Sequence, residues 1–195
     1  MVGALILAAG NSSRMKTLKP FLQLETGQSF LETIVNTYSS WGVGKIVVVV
    51  SREVEKQCRD IASSVENVML VPNDNPGFER FYSVKLGLKE LTEFRHCFLQ
   101  NVDNPFISGD ILDELYQMRS ETAFVSPSFM NKGGHPVLLN QLQVHEISAF
   151  PQPDANLKTV LNSYPSVRVE MRDDRTLINM NDEEDYQRYL KSSTL

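Results

Sequence analysis

Cysteine is scarce in this chain: Cys58 and Cys97 are the only two in 195 residues. Two isolated thiols cannot build a disulfide framework, and without paired ligands nearby they do not build a zinc site. Both are expected to be reduced, in the core or at the surface, in a cytoplasmic setting. Long apolar runs are also missing. No stretch approaches the roughly 20 residues of a membrane-spanning helix. The apolar start has no basic lead and no cleavage-like site, so neither a membrane anchor nor a signal peptide is expected. Positive charge is not in excess: 19 Lys and Arg against 24 Asp and Glu leave a formal net charge of −5. That balance argues against a broad nucleic-acid surface and leaves room for a local basic pocket. Two familiar phosphate-binding signatures are absent, because Gly10 is followed neither by Gly-Lys-Ser/Thr at Walker spacing nor by two further spaced glycines. Repeats, low-complexity tracts and dividing linkers are absent too, so residues 1–195 read as one domain.

What remains is an ordinary globular composition, 42% hydrophobic and 22% charged, with a regular alternation along the chain. Val2–Leu7 and Lys45–Val50 are short, β-branched apolar runs, as in strands buried on both faces. Between them, Phe30, Ile34, Val35, Tyr38 and Trp41 recur at helical spacing, and Ser29 with Glu32 fits a capping box. Further helices are expected over Arg52–Ser63, Phe81–Leu91, Asp110–Met118 and Ala155–Tyr164, with a last one from Asp182. Strands are expected at Val68–Val71, Cys97–Val102, Thr122–Ser126, Val137–Leu139, Val167–Met171 and Leu177–Met180. The alternation predicts an α/β fold with a mainly parallel sheet.

The first strand ends in Leu7-Ala8-Ala9-Gly10-Asn11-Ser12-Ser13-Arg14-Met15, and Lys19-Pro20 follows. Small residues let backbone approach a ligand, and N–H groups in such a turn suit anionic oxygens. Arg14 and Lys19 are candidates to neutralise charge on a leaving pyrophosphate; the plain alternative is a solvated charged loop. Asp103 follows another apolar run and precedes Asn104-Pro105. A carboxylate at a strand's carboxyl end suits a divalent ion in the crevice where such sheets bind ligands; the alternative is a turn-forming or capping Asp.

At these residues the chain resembles the MobA-like nucleotidyltransferases, whose signature runs Leu-Ala-Ala/Gly-Gly, then Arg-Met-Gly, then Lys. Lys16 stands where the final Gly of that signature is found. The resemblance extends over nearly the whole chain. It implies a three-layer α/β sandwich with a Rossmann-like sheet, of the nucleotide-diphospho-sugar transferase type. It implies a Mg²⁺-dependent enzyme that moves a nucleoside monophosphate from an NTP to a phosphorylated acceptor, without nucleic acid or membrane as partner and with room for a homodimer. Leu7, Ala8, Ala9, Gly10, Ser12, Ser13, Arg14 and Lys19 would bind the NTP, with Arg14, Lys19 and Asp103 as catalytic groups. Asn75, Ser83 and Gly87 match the segment lining the base and ribose pocket, although Arg80-Phe81-Tyr82 crowds the position of a Gly-Met pair. Asn181, and more weakly Asn179, match the second metal-proximal segment, where an N-cap is the alternative role.

Gly134-His135-Pro136-Val137 resembles the molybdenum cofactor cytidylyltransferase branch, where this segment lies towards the acceptor. His135 is therefore expected to bind the acceptor, and Lys158 keeps a charge found in the same branch. Ala8-Ala9-Gly10 also favours CTP over GTP as donor. Sugar-phosphate, methylerythritol-phosphate and choline-phosphate acceptors stay open beside the pterin. Two rivals remain: a nucleotide-binding protein without turnover, motivated by Lys16, Arg80 and Asn156, and a nicotinamide-dependent dehydrogenase, disfavoured by the missing glycines.

Overall fold

A computed structural model describes residues 1–10, 17–75, 77–78 and 80–192. The apolar runs form the centre of one sheet. Strands β1 (Val2–Ala8), β2 (Lys45–Ser51), β3 (Val68–Asn73) and β4 (His96–Asn101) lie side by side in the order β3-β2-β1-β4, all parallel. Every residue of β1 and β4 is buried: β1 is apolar throughout, while β4 also buries the polar side chains of His96, Gln100 and Asn101. Beyond β4 the sheet becomes mixed. Strand β7 (Val137–Asn140) runs antiparallel to β4 and to β5 (Phe124–Phe129). Strand β5 then pairs with the short β6 (Lys132–Gly133) and, in parallel, with β8 (Ser166–Glu170).

Helices cover both faces. Side chains alternate along each strand, so Ala4, Ile6, Ile46 and Val48 face one side while Leu5, Leu7, Val47 and Val49 face the other. The first side packs against α1 (Phe30–Trp41), α2 (Arg52–Ser63) and α4 (Gly109–Gln117), with α7 (Glu183–Ser192) at its margin. The second packs against α3 (Arg80–Lys89), α5 (Gln141–Ser148) and α6 (Leu157–Leu161). This is the three-layer α/β sandwich that the family resemblance implies. Cys58 and Cys97 are free and buried. Among the described residues, no helix is long and apolar enough to cross a membrane.

Local chemistry sets the boundaries. Ser29 Oγ accepts from the Glu32 N–H at 3.2 Å, and Glu32 Oε2 accepts from the Ser29 N–H at 2.7 Å, so the expected capping box starts α1. Gly42, at φ +91°, ends it in the left-handed region that glycine enters without steric penalty. Most expected elements recur with shifts of one or two residues at their ends, while α6 is confined to the middle of the expected Ala155–Tyr164 helix.

Two expectations need correction. Leu177–Met180 is not a strand: Arg175–Leu177 forms a 3₁₀ turn and the chain then crosses under the loop after β4. Its backbone is held instead by Asn104, whose buried Nδ2 donates to the Thr176 and Ile178 carbonyls at 3.1 and 2.6 Å. Helix α5 was not among the expected elements. Its signal is the reciprocal box at its start, where Asn140 Oδ1 accepts from the Gln143 N–H and Gln143 Oε1 from the Asn140 N–H.

Candidate functional site

The carboxyl ends of β1, β2, β3 and β4 open into a crevice of about 950 Å³. Leu7, Ala8, Ala9 and Gly10 form one wall, and Lys19 and Asp103 lie across from it. Parallel pairing of β1 with β4 carries Ala9–Gly10 and Asp103 to the same sheet edge. The Val102 N–H donates to the Leu7 carbonyl at 3.1 Å, extending this register one residue past β4.

Lys19 reaches the crevice from a short 3₁₀ turn, Lys19–Phe21, in which Pro20 has its ring in an early helical position. Lys19 Nζ lies 3.6 Å from Asp103 Oδ2. The other carboxylate oxygen, Asp103 Oδ1, is buried and has no hydrogen-bond partner among the described residues. The Asp103 backbone is fixed separately: its carbonyl accepts from the Met180 N–H at 2.7 Å. Beneath it, Gln100 Nε2 donates to the Asn101 and Asn104 carbonyls at 2.8 and 2.7 Å. Rigid backbone therefore presents an acceptor oxygen that no donor among the described residues satisfies. An unmatched buried carboxylate oxygen fits a hard divalent cation. Among the described residues, no group of three or more His, Cys, Asp and Glu side chains stands ready to enclose a metal. An ion here would take Asp103 together with oxygens from a ligand.

A second cavity of about 510 Å³ lies beyond the first, beside β5, β7 and α6. His135 and Lys158 both line it, so these two expected acceptor residues share one space. His135 is reached through a tight crossing. A Cβ on Gly134 would stand 2.3 Å from the Thr176 carbonyl oxygen, and the His135 N–H donates to that same oxygen at 3.0 Å.

Asn101 joins the two spaces. Its Nδ2 lies 2.9 Å from His135 Nε2, while its Oδ1 accepts from Arg80 Nη2. Arginine can only donate, so this amide orientation is set, and Nε2 of His135 must be the acceptor. The imidazole is then neutral with its proton on Nδ1. Burial, assisted by the nearby Arg80 charge, pushes its pKa down to about 4, against the opposing pull of the Leu99 carbonyl. His135 is consequently a neutral, oriented ring.

The structure brings Leu7, Ala8, Ala9, Gly10, Lys19, Ser83 and Asp103 together around the larger crevice. It does not bring Asn75 there. That side chain is exposed and donates to the Tyr82 hydroxyl at 3.1 Å, while buried Asn73 lines the crevice and donates to Ser83 Oγ at 3.0 Å. Gly87 also lies away from the crevice. A Cβ there would meet Leu5 Cδ1 at 2.2 Å and Val49 Cγ2 at 2.9 Å, so its smallness seats α3 on the sheet. Asn181 is exposed and outside the crevice lining, one residue past Met180. The capping role falls to its neighbour: Asp182 Oδ1 accepts from the Asp185 N–H at 3.0 Å. Ser12, Ser13, Arg14 and Lys16 lie outside the described residues. Asn73, Arg80 and Asn101 were not among the expected site residues; the bulky Arg80 segment was noted only as crowding.

The sequence profile of the MobA-like NTP transferase domain matches residues 4–169. The chain belongs to this family. This MobA-like protein is accordingly a nucleotidyltransferase. It is 25% identical to the molybdenum cofactor cytidylyltransferase of Escherichia coli over 186 residues, covering 95% of this chain and 93% of the relative. Its fold is similar to that of a nucleotidyl transferase from Methanothermobacter thermautotrophicus, with a TM-score of 0.80 at 19% identity, over 98% of this chain and 99% of the other. Rv0371c of Mycobacterium tuberculosis, crystallised with manganese, has the same fold at a TM-score of 0.74 and 16% identity, over 98% of each chain.

Proposed function

We propose that this MobA-like chain transfers a cytidylyl group from CTP to a phosphorylated acceptor in a Mg²⁺-dependent reaction, releasing pyrophosphate, with the molybdenum cofactor pterin as leading acceptor. The observation that carries the reading is the Lys19–Asp103 couple at the crevice floor, 3.6 Å apart, beside the unpartnered Asp103 Oδ1. A cation for phosphate and an oxygen for metal stand together where the glycine-ended β1 turn opens. The Ala8-Ala9-Gly10 wall and the His135 segment support the cytidylyl branch, as does the Escherichia coli relative. The manganese-bound fold neighbour supports a divalent ion.

In this reading the NTP phosphates lie along Ala8-Ala9-Gly10 and against Lys19, and the acceptor enters from the His135 side. A divalent ion held by Asp103 and phosphate oxygens would supply Lewis-acid stabilisation of the charge that develops in the transition state. An oxygen of the acceptor phosphate attacks the α-phosphorus, and the bond to the bridging oxygen of pyrophosphate breaks. The attacking group is already ionised at neutral pH, so no side chain must take its proton. Lys19 stabilises charge growing on the leaving group. His135, neutral and accepting through Nε2, orients Asn101 and shapes the acceptor side without acting as a base.

Competitive titration of CTP and GTP with Mg²⁺ tests the donor, and pyrophosphate release with candidate acceptors tests the reaction. Tighter CTP binding is expected. Tighter GTP binding would overturn the base assignment alone. Binding of CTP with no pyrophosphate release from any phosphorylated acceptor would favour the non-catalytic rival.

A further inference from the structure

Arg80 lines both cavities, the larger crevice and the space around His135. It stands at the start of α3, in the segment where the resemblance carries a Gly-Met pair. Only Nη2 is engaged, with Asn101 Oδ1 and, at 3.4 Å, the His135 ring. Neither partner is charged in this arrangement, and among the described residues no carboxylate forms an ion pair with Arg80. The guanidinium nevertheless reaches inward. Burial lowers its pKa, and the nearby Asp103 charge acts the other way. Nε and Nη1 donate to none of the described residues, so among these one edge of the fork is unused. A cation anchored by neutral groups, with parallel donors unused, is complementary to a dianion with several oxygens. Asn101 sits at the end of fully buried β4, so the anchor is rigid.

We propose that Arg80 grips the acceptor's phosphate group at the junction of the two cavities and presents one of its oxygens to the nucleotide side. The assignment rests on the nucleotidyl-transfer reading above and names the group that orients its nucleophile. Arg80 keeps its proton throughout. A new bond joins the acceptor phosphate oxygen to the α-phosphorus, and the electron pair of the broken bond leaves with pyrophosphate. Lys19 and Arg80 then serve opposite ends of one transfer, the leaving group and the attacking group.

Titration with inorganic phosphate, followed by calorimetry, tests this on the wild type, Arg80→Met and Lys19→Ala. Arg80→Met is expected to weaken phosphate binding by about tenfold or more, because the anchored guanidinium fork is lost. Lys19→Ala, which removes the cation read as meeting the NTP phosphates in the other cavity, is expected to cost less phosphate affinity than Arg80→Met. Arg80→Lys should fall between the wild type and the methionine variant. Arg80→Gln, which keeps a donor towards Asn101, carries the comparison if the methionine variant does not fold. Equal phosphate affinity in wild type and Arg80→Met, a larger loss in Lys19→Ala, or no phosphate binding by the wild type would each overturn the assignment. A separate CTP titration keeps the two readings apart. CTP affinity within about twofold in Arg80→Met is expected for a residue on the acceptor side, and a loss matching that for phosphate would overturn the assignment. Failure of the wild type to bind CTP would overturn nucleotidyl transfer, while the phosphate comparison would still decide whether Arg80 is an anion site.

Discussion

Lys19 Nζ and Asp103 Oδ2 lie 3.6 Å apart, although 84 positions separate them in the chain and neither belongs to a strand. The contact is the point where the loop after β1 and the loop after β4 meet. It balances charge in the absence of ligand and leaves Asp103 Oδ1 unmatched. Arrival of a divalent ion and phosphates would let each partner exchange the other for a ligand of opposite charge.

Lys19→Ala is expected to slow the chemical step by about 10²–10³-fold, the loss typical of one donor aimed at developing charge. Lys19→Arg should recover only part of the rate, because a planar fork does not reproduce a compact ammonium. Single-turnover kinetics at saturating NTP and acceptor make the measurement. An unchanged rate in the alanine variant would reduce Lys19 to surface charge.

Asp103→Ala should remove metal-dependent turnover, a loss on the order of several kcal/mol of transition-state stabilisation. The fold should survive. The side chain is about a quarter exposed, and among the described residues its buried oxygen forms no hydrogen bond whose loss would be felt. Thermal melting of the variant at or above the wild-type midpoint is expected. Turnover close to wild type would remove Asp103 from the site.

Gly134→Ala is expected to destabilise the protein by about 1–3 kcal/mol, the usual range for overpacking a tight site. The new methyl would meet backbone, the Thr176 carbonyl, which cannot move aside as a flexible side chain would. Denaturant unfolding would measure it, and acceptor binding should weaken along with stability because His135 is the next residue. A variant as stable as wild type would mean that this crossing is looser than the geometry implies.

His135 makes stability depend on pH in one direction. Its folded pKa, about 4, lies below the ordinary imidazole value of 6.5. The unfolded chain therefore takes up a proton first as pH falls. The contribution is fully present above about 6.5, declines between about 6.5 and 4, and is lost below that. The decline should total on the order of 3 kcal/mol. Urea unfolding at several pH values between 7 and 4, with His135→Gln as reference, would isolate it. Parallel curves for the two proteins would show that the imidazole takes up its proton equally readily in the folded and unfolded chains.

Much of the fold was legible because its signals are local. The unbroken apolar runs of β1 and β2 and the Ser29–Glu32 box each carry their structure within a few residues. The parallel core followed, and with it the meeting of Ala9–Gly10 and Asp103. The Leu177–Met180 strand failed for the opposite reason. Its apolar residues are real, but the buried Asn104 amide captures the Ile178 carbonyl and that of Thr176 just before the segment, and those bonds cannot then form a ladder. Helix α5 was missed because its box begins with Asn140 directly after a strand, so one apolar run hid the boundary.

By itself the sequence determined which residue types stand near which strand ends: small residues at the end of β1, and Lys19 and Asp103 as the groups proposed to meet phosphate and a divalent ion. Those assignments depend on short-range pattern and on the rule that parallel sheets bind ligands at their carboxyl edge. Only the tertiary structure decided which neighbours do which work. Asn73 and Asn75 are two residues apart with the same side chain, yet burial and the bond to Ser83 turn one inward and leave the other in solvent. Gly87 matches a pocket segment, but its missing Cβ makes room for Leu5 and Val49. Arg80 reads as bulk in the chain and becomes a bridging cation in the fold, because Asn101 at the end of β4 and His135 in the turn before β7 arrive from distant parts of the chain to hold it. Such roles depend on which side of a helix or strand faces a cavity, and that is set by packing across the sheet.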